Sequence, residues 1–169
     1  MDMQLYILHV VPFIVLVYLA FLLFLRPPGK VILASLLGGL TMAIINALFD
    51  LIAYYASWWH YILTGLILQL PLPFYITPFL IYGGLTYLLI WRFWGTRWHW
   101  LALLLLIGVP LTGFSRDLLQ AMVTHSSFLV WDSPLAGPVD LLLWLVMFYA
   151  GYFVFRRLAP ERKNETTPV

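Results

Sequence analysis

Long apolar runs divided by short polar breaks dominate this chain. The first extends from Leu5 to Leu25 without a formal charge and stops at Arg26-Pro27-Pro28-Gly29-Lys30. The second begins at Val31 and continues to Tyr55, with Asp50 as its one formal charge. A third starts at Pro73, where proline is tolerated in a first helical turn, and ends at Trp91. The fourth covers Trp100–Ser115, with room for an extension beyond, and the fifth Val139–Phe155. About 20 helical residues cross a ~30 Å hydrocarbon core, so these runs read as membrane spans. The stretch from Trp58 to Gln69 is too short to cross and reads as an interfacial or re-entrant segment on the outer side. The expected fold class is therefore all-α: a polytopic helical membrane protein with about five transmembrane helices. Residues 1–159 form a single transmembrane domain, and 160–169 a polar, disordered cytoplasmic tail.

Composition removes the soluble alternative. Hydrophobic residues make up 63% of the chain and charged residues 9%, against about 25% charged in soluble domains. The absence of cysteine excludes disulfides, thiolate metal sites and cysteine nucleophiles. The start Met1-Asp2-Met3-Gln4 and the lack of a small-residue cleavage site argue for a retained first helix rather than a signal peptide.

Charge then orients the spans. Five crossings put Arg26, Lys30, Arg92, Arg97, Arg156, Arg157, Arg162 and Lys163 on one side and leave Arg116 on the other. By the positive-inside rule the N-terminus lies outside and the C-terminus in the cytoplasm, in the cell (inner) membrane. Tyr54-Tyr55 and Trp58-Trp59 fit an outer aromatic belt, and Trp91, Trp94, Trp98 and Trp100 an inner one. The net charge of +2 thus reports topology rather than nucleic-acid binding. The expected partners are the lipid bilayer and either an apolar small molecule or another membrane protein.

Ser35, Gly39, Ala43 and Ala47 recur every four residues, a stripe that lets membrane helices approach closely. Intramolecular packing is the expected use, and Gly83-Gly84, Gly108 and Ala150-Gly151 are candidates for the same role. Pro110 should kink the fourth span. Asn164 opens a formal glycosylation sequence, which has no meaning on the cytoplasmic side.

Embedded polarity is one-sided. At ~1.5 Å per residue from Lys30, Asn46 lies roughly 24 Å and Asp50 roughly 30 Å up; from Arg156, Asp140 lies roughly 24 Å up. His9, Thr77, Arg116 and Asp117 reach similar depth, whereas the cytoplasmic halves hold nothing ionisable beyond an occasional tyrosine. Asn46, Asp50 and Tyr54 are spaced by four and share a helix face. Ionisable groups inside spans usually face the bundle interior and mark function, which makes Arg116 the candidate partner of Asp50 or Asp140. A plainer reading makes Asp50, Arg116 and Asp117 interface residues, Asp140 a first-turn dipole partner after Gly137-Pro138, and Thr77 a residue bonded to its own backbone. The candidate ligand-binding set is Asn46, Asp50, Tyr54, Trp59, Arg116 and Asp140, with Asp50, Asp140 and Arg116 as catalytic candidates.

Asp50, then Trp59 and Tyr61, then Pro71-Leu72-Pro73-Phe74-Tyr75 resembles small membrane-embedded lycopene and terpene cyclases over this stretch alone. In those families acids protonate polyene double bonds, and a proline-led pair of glutamates opens a helix. Here proline and phenylalanine stand at the glutamate positions.

Other chemistry finds no support. His9, His60, His99 and His125 offer no pair at one depth for haem and no ligand spacing for a metal, so no cofactor is expected. Ser126 and Ser127 beside His125 lack nucleophile-elbow glycines, and Gly38-Gly39 lacks a lysine for phosphate. Three readings compete. In the first, a binding, assembly or transport-accessory component holds a hydrophobic ligand or partner helix. There Leu118–Trp131 is an outer amphipathic segment or a lid, and Asp50→Asn leaves the fold intact while altering affinity. The second is a membrane-embedded enzyme acting on a lipid or isoprenoid by carboxyl acid–base chemistry, its cavity walled by Tyr54, Trp58 and Trp59. Transport by this chain alone comes last, for want of a repeat or of polar groups in the cytoplasmic half.

Overall fold

Five helices long and apolar enough to cross a membrane form the bulk of the computed structural model, which describes residues 3–122 and 128–160. The chain is a small multi-pass membrane protein. Its elements run α1 Met3–Leu25, α2 Gly29–Tyr55, β1 Trp59–Tyr61, α3 Leu72–Phe93, α4 His99–Met122, β2 Leu129–Trp131 and α5 Ala136–Leu158. Each expected span is present and longer than its apolar run, most of all α4, which passes Ser115 and reaches Met122. Within the segment Leu118–Trp131, the described residues up to Met122 belong to α4 and Leu129–Trp131 form β2. His125, Ser126, Ser127 and the tail beyond Pro160, Asn164 included, lie outside the described residues. α4 remains one helix through the buried Pro110.

Helix α2 is the centre of the bundle, packed extensively against both α3 and α5. Glycine makes both approaches possible. A β-carbon on Gly38 would come 2.7 Å from the Gly151 carbonyl oxygen, and one on Gly151 would come 2.5 Å from that of Gly38. On the adjoining face Gly39 lies against Phe79 and Gly84, and a β-carbon on Gly83 would meet the Gly39 Cα at 2.5 Å. The small-residue stripe is an intramolecular seam, as expected. Gly108 differs, since nothing among the described residues, its own helix backbone aside, lies within 4 Å of a β-carbon built there. Between the seams, Tyr87 is fully buried and donates to the Phe148 carbonyl at 2.8 Å, satisfying its hydroxyl inside the bundle.

Two helical stretches widen to π geometry, Tyr6–Val10 in α1 and Thr77–Leu85 in α3. Pro12 follows the first and Pro78 opens the second. A proline ring lacks an N–H and crowds the carbonyl four residues back, which a wider turn relieves. The two stretches meet where Tyr6 and Thr77 share a hydroxyl–hydroxyl hydrogen bond of 2.8 Å. Thr77 therefore bonds across helices rather than to its own backbone. α1 is otherwise the least buried span, tied to α2 by the 3.1 Å bond between Tyr18 and Ser35.

At the end of the bundle opposite the arginine clusters, β1 and β2 pair antiparallel, Trp59 with Trp131, His60 with Val130 and Tyr61 with Leu129. The 56–72 connector is thus anchored by strand pairing to the link between α4 and α5. A 2.7 Å contact between His60 Nδ1 and Asp132 Oδ2 joins the same two connectors at their exposed edge.

Candidate functional site

Asp50 lies five residues before the end of α2, and the way that helix ends brings its partners to it. Ser57 takes a left-handed conformation at φ 54°. The Ser57 N–H then bonds the Tyr54 carbonyl at 3.2 Å, and the Trp58 N–H bonds that of Ala53 at 2.9 Å. This is a Schellman termination with serine where glycine is usual, and it folds the chain back along its own helix. Trp59 and Tyr61 follow on β1, two residues apart and so on one face of the strand. Trp59 Nε1 donates to Asp50 Oδ1 at 3.0 Å, and the Tyr61 hydroxyl donates to Oδ2 at 3.0 Å. The third donor is Tyr75, from the short turn after Pro71 that opens α3, whose hydroxyl reaches Oδ2 at 2.8 Å.

The Asp50 carboxylate is 4% exposed and accepts from three aromatic donors on two separate elements. Burial, then the neighbouring Asp50 charge, push the Tyr61 hydroxyl well above its ordinary value of 10, which keeps its proton in place as a donor to the carboxylate. Asp50 is a polar junction of α2, β1 and α3.

Arg116 does not pair with Asp50 or Asp140. Its Nε and Nη2 reach Oδ1 of the adjacent Asp117 at 2.9 and 2.7 Å. Its guanidinium lies over the rings of Tyr82, at 5.7 Å, and Trp144, at 5.6 Å. Trp144 Nε1 in turn donates to Asp117 Oδ2 at 2.8 Å, and its ring packs flat on Gly113. The two rings stand edge-to-face, 5.1 Å between centroids, and cation–π contact with both keeps the guanidinium beside them, where it bonds its own chain neighbour. Asp117 is buried, not an interface residue.

Asp140 stands one turn before Trp144 on α5, past the first helical turn, so helix-dipole stabilisation does not account for it. It is 5% exposed, and its Oδ2 has no hydrogen-bond partner among the described residues. The Trp131 indole N–H shares that condition, and its ring packs against Gly137. Asp140 lies within electrostatic reach of Asp50, Asp117 and Arg116, and Arg116 is paired with Asp117. Of the three carboxylates, only Asp117 is ion-paired among the described residues, whereas Asp50 is met by three neutral donors.

The remaining sequence candidates fall outside this cluster. Asn46 is half-buried and makes no side-chain hydrogen bond among the described residues. Tyr54 is exposed and edge-on to Tyr55. Trp59 is buried at 2%, which removes it from the interfacial belt and makes it a ligand of Asp50. His9 is exposed and contacts the Leu5 carbonyl of its own helix. Trp144 and Tyr82 belong to the site and carried one sequence cue: Trp144 follows Asp140 by four residues, on the same helix face.

An apolar groove of about 490 Å³ opens beside the cluster between α1, α2 and α3, lined by Ile7, Val11, Leu40, Ala43, Ile76 and Phe79 among others. Tyr75 belongs to both. Its ring is part of the groove wall, and its hydroxyl is bonded to Asp50. No protein family, characterised protein or solved structure matches this chain.

Proposed function

We propose that this protein is a membrane-embedded binding component that holds an apolar, lipid-type molecule in the lateral groove, beside a polar site facing the outside of the cell membrane. The observation that carries the reading is the double role of Tyr75, which places an apolar wall and a buried carboxylate junction on the two sides of one ring. A groove of this volume is within the range of small-molecule sites, and its apolar lining suits a body drawn from the bilayer. Organic extraction of detergent-purified protein followed by mass spectrometry tests it, with Leu40→Trp as the comparison. Leu40 lines the groove and is 44% exposed, so the larger ring fills the groove without touching Asp50. A stoichiometric apolar compound is expected in the wild type and should be lost in Leu40→Trp. Bulk phospholipid alone in both proteins would remove the reading and favour a partner helix as the occupant.

Acid–base catalysis on a lipid or isoprenoid is the second reading, favoured by the unpartnered Oδ2 of Asp140. Asp50 is poorly placed for that role, since three donors already occupy its oxygens. Extraction of Asp140→Asn separates the two readings. An unchanged compound supports binding alone, whereas accumulation of a different, unconverted one supports catalysis.

The orientation rests on the basic residues gathered at one end of the spans. Single cysteines in this cysteine-free chain test it in intact cells. An impermeant thiol reagent should label cysteine at position 133 and spare cysteine at position 26; the reverse pattern would put the polar site on the cytoplasmic side.

A further inference from the structure

The end of α5 carries a second, chemically different pocket of about 450 Å³, lined by Tyr149, Tyr152, Phe153, Arg156 and Arg157. Each arginine is held by an aromatic face. The Arg156 guanidinium lies 5.8 Å from the Trp94 ring centroid, and that of Arg157 lies 5.0 Å from the Phe153 ring. A cation–π contact of this kind restrains the guanidinium without using its N–H donors. Arg156 Nη1 also meets the Tyr152 hydroxyl at 3.5 Å, and the Tyr149 hydroxyl donates to the Leu106 carbonyl on α4 at 3.1 Å, which fixes that ring. Neither arginine pairs with a carboxylate among the described residues, whose acids, Asp50, Asp117, Asp132 and Asp140, all lie toward the other end of the bundle.

Below this pocket, Leu142, Val146, Tyr149 and Phe153 are all exposed and recur at helical spacing along one face of α5 that leads up to Arg157. An apolar stripe ending in a pair of oriented guanidinium groups, at the level where a span leaves the hydrocarbon, matches the shape of a phospholipid. We propose that this pocket binds the phosphate of an anionic membrane phospholipid, with an acyl chain lying along the Leu142–Phe153 face. Guanidinium forks recognise phosphate oxygens in pairs, and a zwitterionic headgroup would bring its own cation against the arginines.

The test is lipid retention. The full chain is reconstituted in vesicles of phosphatidylcholine with a minor fraction of phosphatidylglycerol, re-extracted in mild detergent, and its bound lipid quantified by mass spectrometry. The wild type should retain phosphatidylglycerol enriched about fivefold over the vesicle ratio, the scale of one well-placed basic residue at a membrane surface. The double variant Arg156→Gln/Arg157→Gln should return to the vesicle ratio while eluting as the same monodisperse species. Arg26→Gln/Lys30→Gln removes equal charge from the same end and should keep the enrichment. No enrichment in the wild type, or equal loss in both double variants, would overturn the site, the latter by showing a general charge effect.

Discussion

Gly39→Ala is expected to unseat α3 from α2 and to lower stability by about 3 kcal/mol, the upper end for overpacking a close contact. The added methyl would be driven into the Phe79 carbonyl and toward the Gly84 nitrogen at 3.0 Å, both backbone atoms that no rotamer change can move. Gly83→Ala meets the same obstacle from the opposite helix, with the Gly39 Cα at 2.5 Å. Gly108→Ala is the control, because its β-carbon meets no described residue outside its own helix turn within 4 Å. Alanine is the better helix former by roughly 0.5–1 kcal/mol, so that variant should unfold at or slightly above the wild-type temperature. Thermal unfolding in detergent, followed by far-ultraviolet circular dichroism and gel filtration, ranks the three. Equal behaviour of Gly39→Ala and Gly108→Ala would mean that the seam is not close-packed.

The architecture was legible because a bilayer permits few solutions. Apolar runs near 20 residues must be helices that satisfy their own backbone, and the four-residue spacing of Ser35, Gly39, Ala43 and Ala47 marked the seam before any contact was known. Gly108 shows the limit of that inference. Small size permits a close approach and does not say that a neighbour comes. The connectors were less legible. Trp59–Tyr61 and Leu129–Trp131 are three-residue strands whose pairing depends on partners about 70 positions away, and no local periodicity announces a strand that short.

At the site, Asp50 was conspicuous as the one charge in a long apolar run, and Asp140 stood within another. Their environments were not legible. Charge complementarity pointed Arg116 at a distant acid, yet it lies beside Tyr82 and Trp144 and bonds Asp117. Successive helical residues do not ordinarily face one another, so adjacency in sequence gave no hint of this pair. The donors to Asp50 were equally hidden, because a left-handed Ser57 and a strand register bring Trp59 and Tyr61 back to it.

Those donors make Asp50→Ala the most damaging single polar change. It leaves the Trp59 indole N–H and the Tyr61 and Tyr75 hydroxyls without their acceptor, and each buried donor left unpaired costs about 1–3 kcal/mol. Tyr61 retains some access to water, which places the expected total near 4 kcal/mol rather than at the sum of three full penalties. Asp50→Asn should fall between the alanine variant and wild type. Its amide oxygen still accepts, but its NH₂ group must face one of the three donors, so the substitution perturbs the fold as well as any ligand. Tyr75→Phe removes one bond and should cost about 1–2 kcal/mol in the wild-type background. In the Asp50→Ala background the same change should cost almost nothing, since the hydroxyl no longer has an acceptor to lose. Unfolding of the wild type, the two single variants and the double variant in one detergent closes this cycle. If Tyr75→Phe costs as much in the Asp50→Ala background as in the wild type, the two side chains are not coupled and the junction of α2, β1 and α3 is held by packing alone.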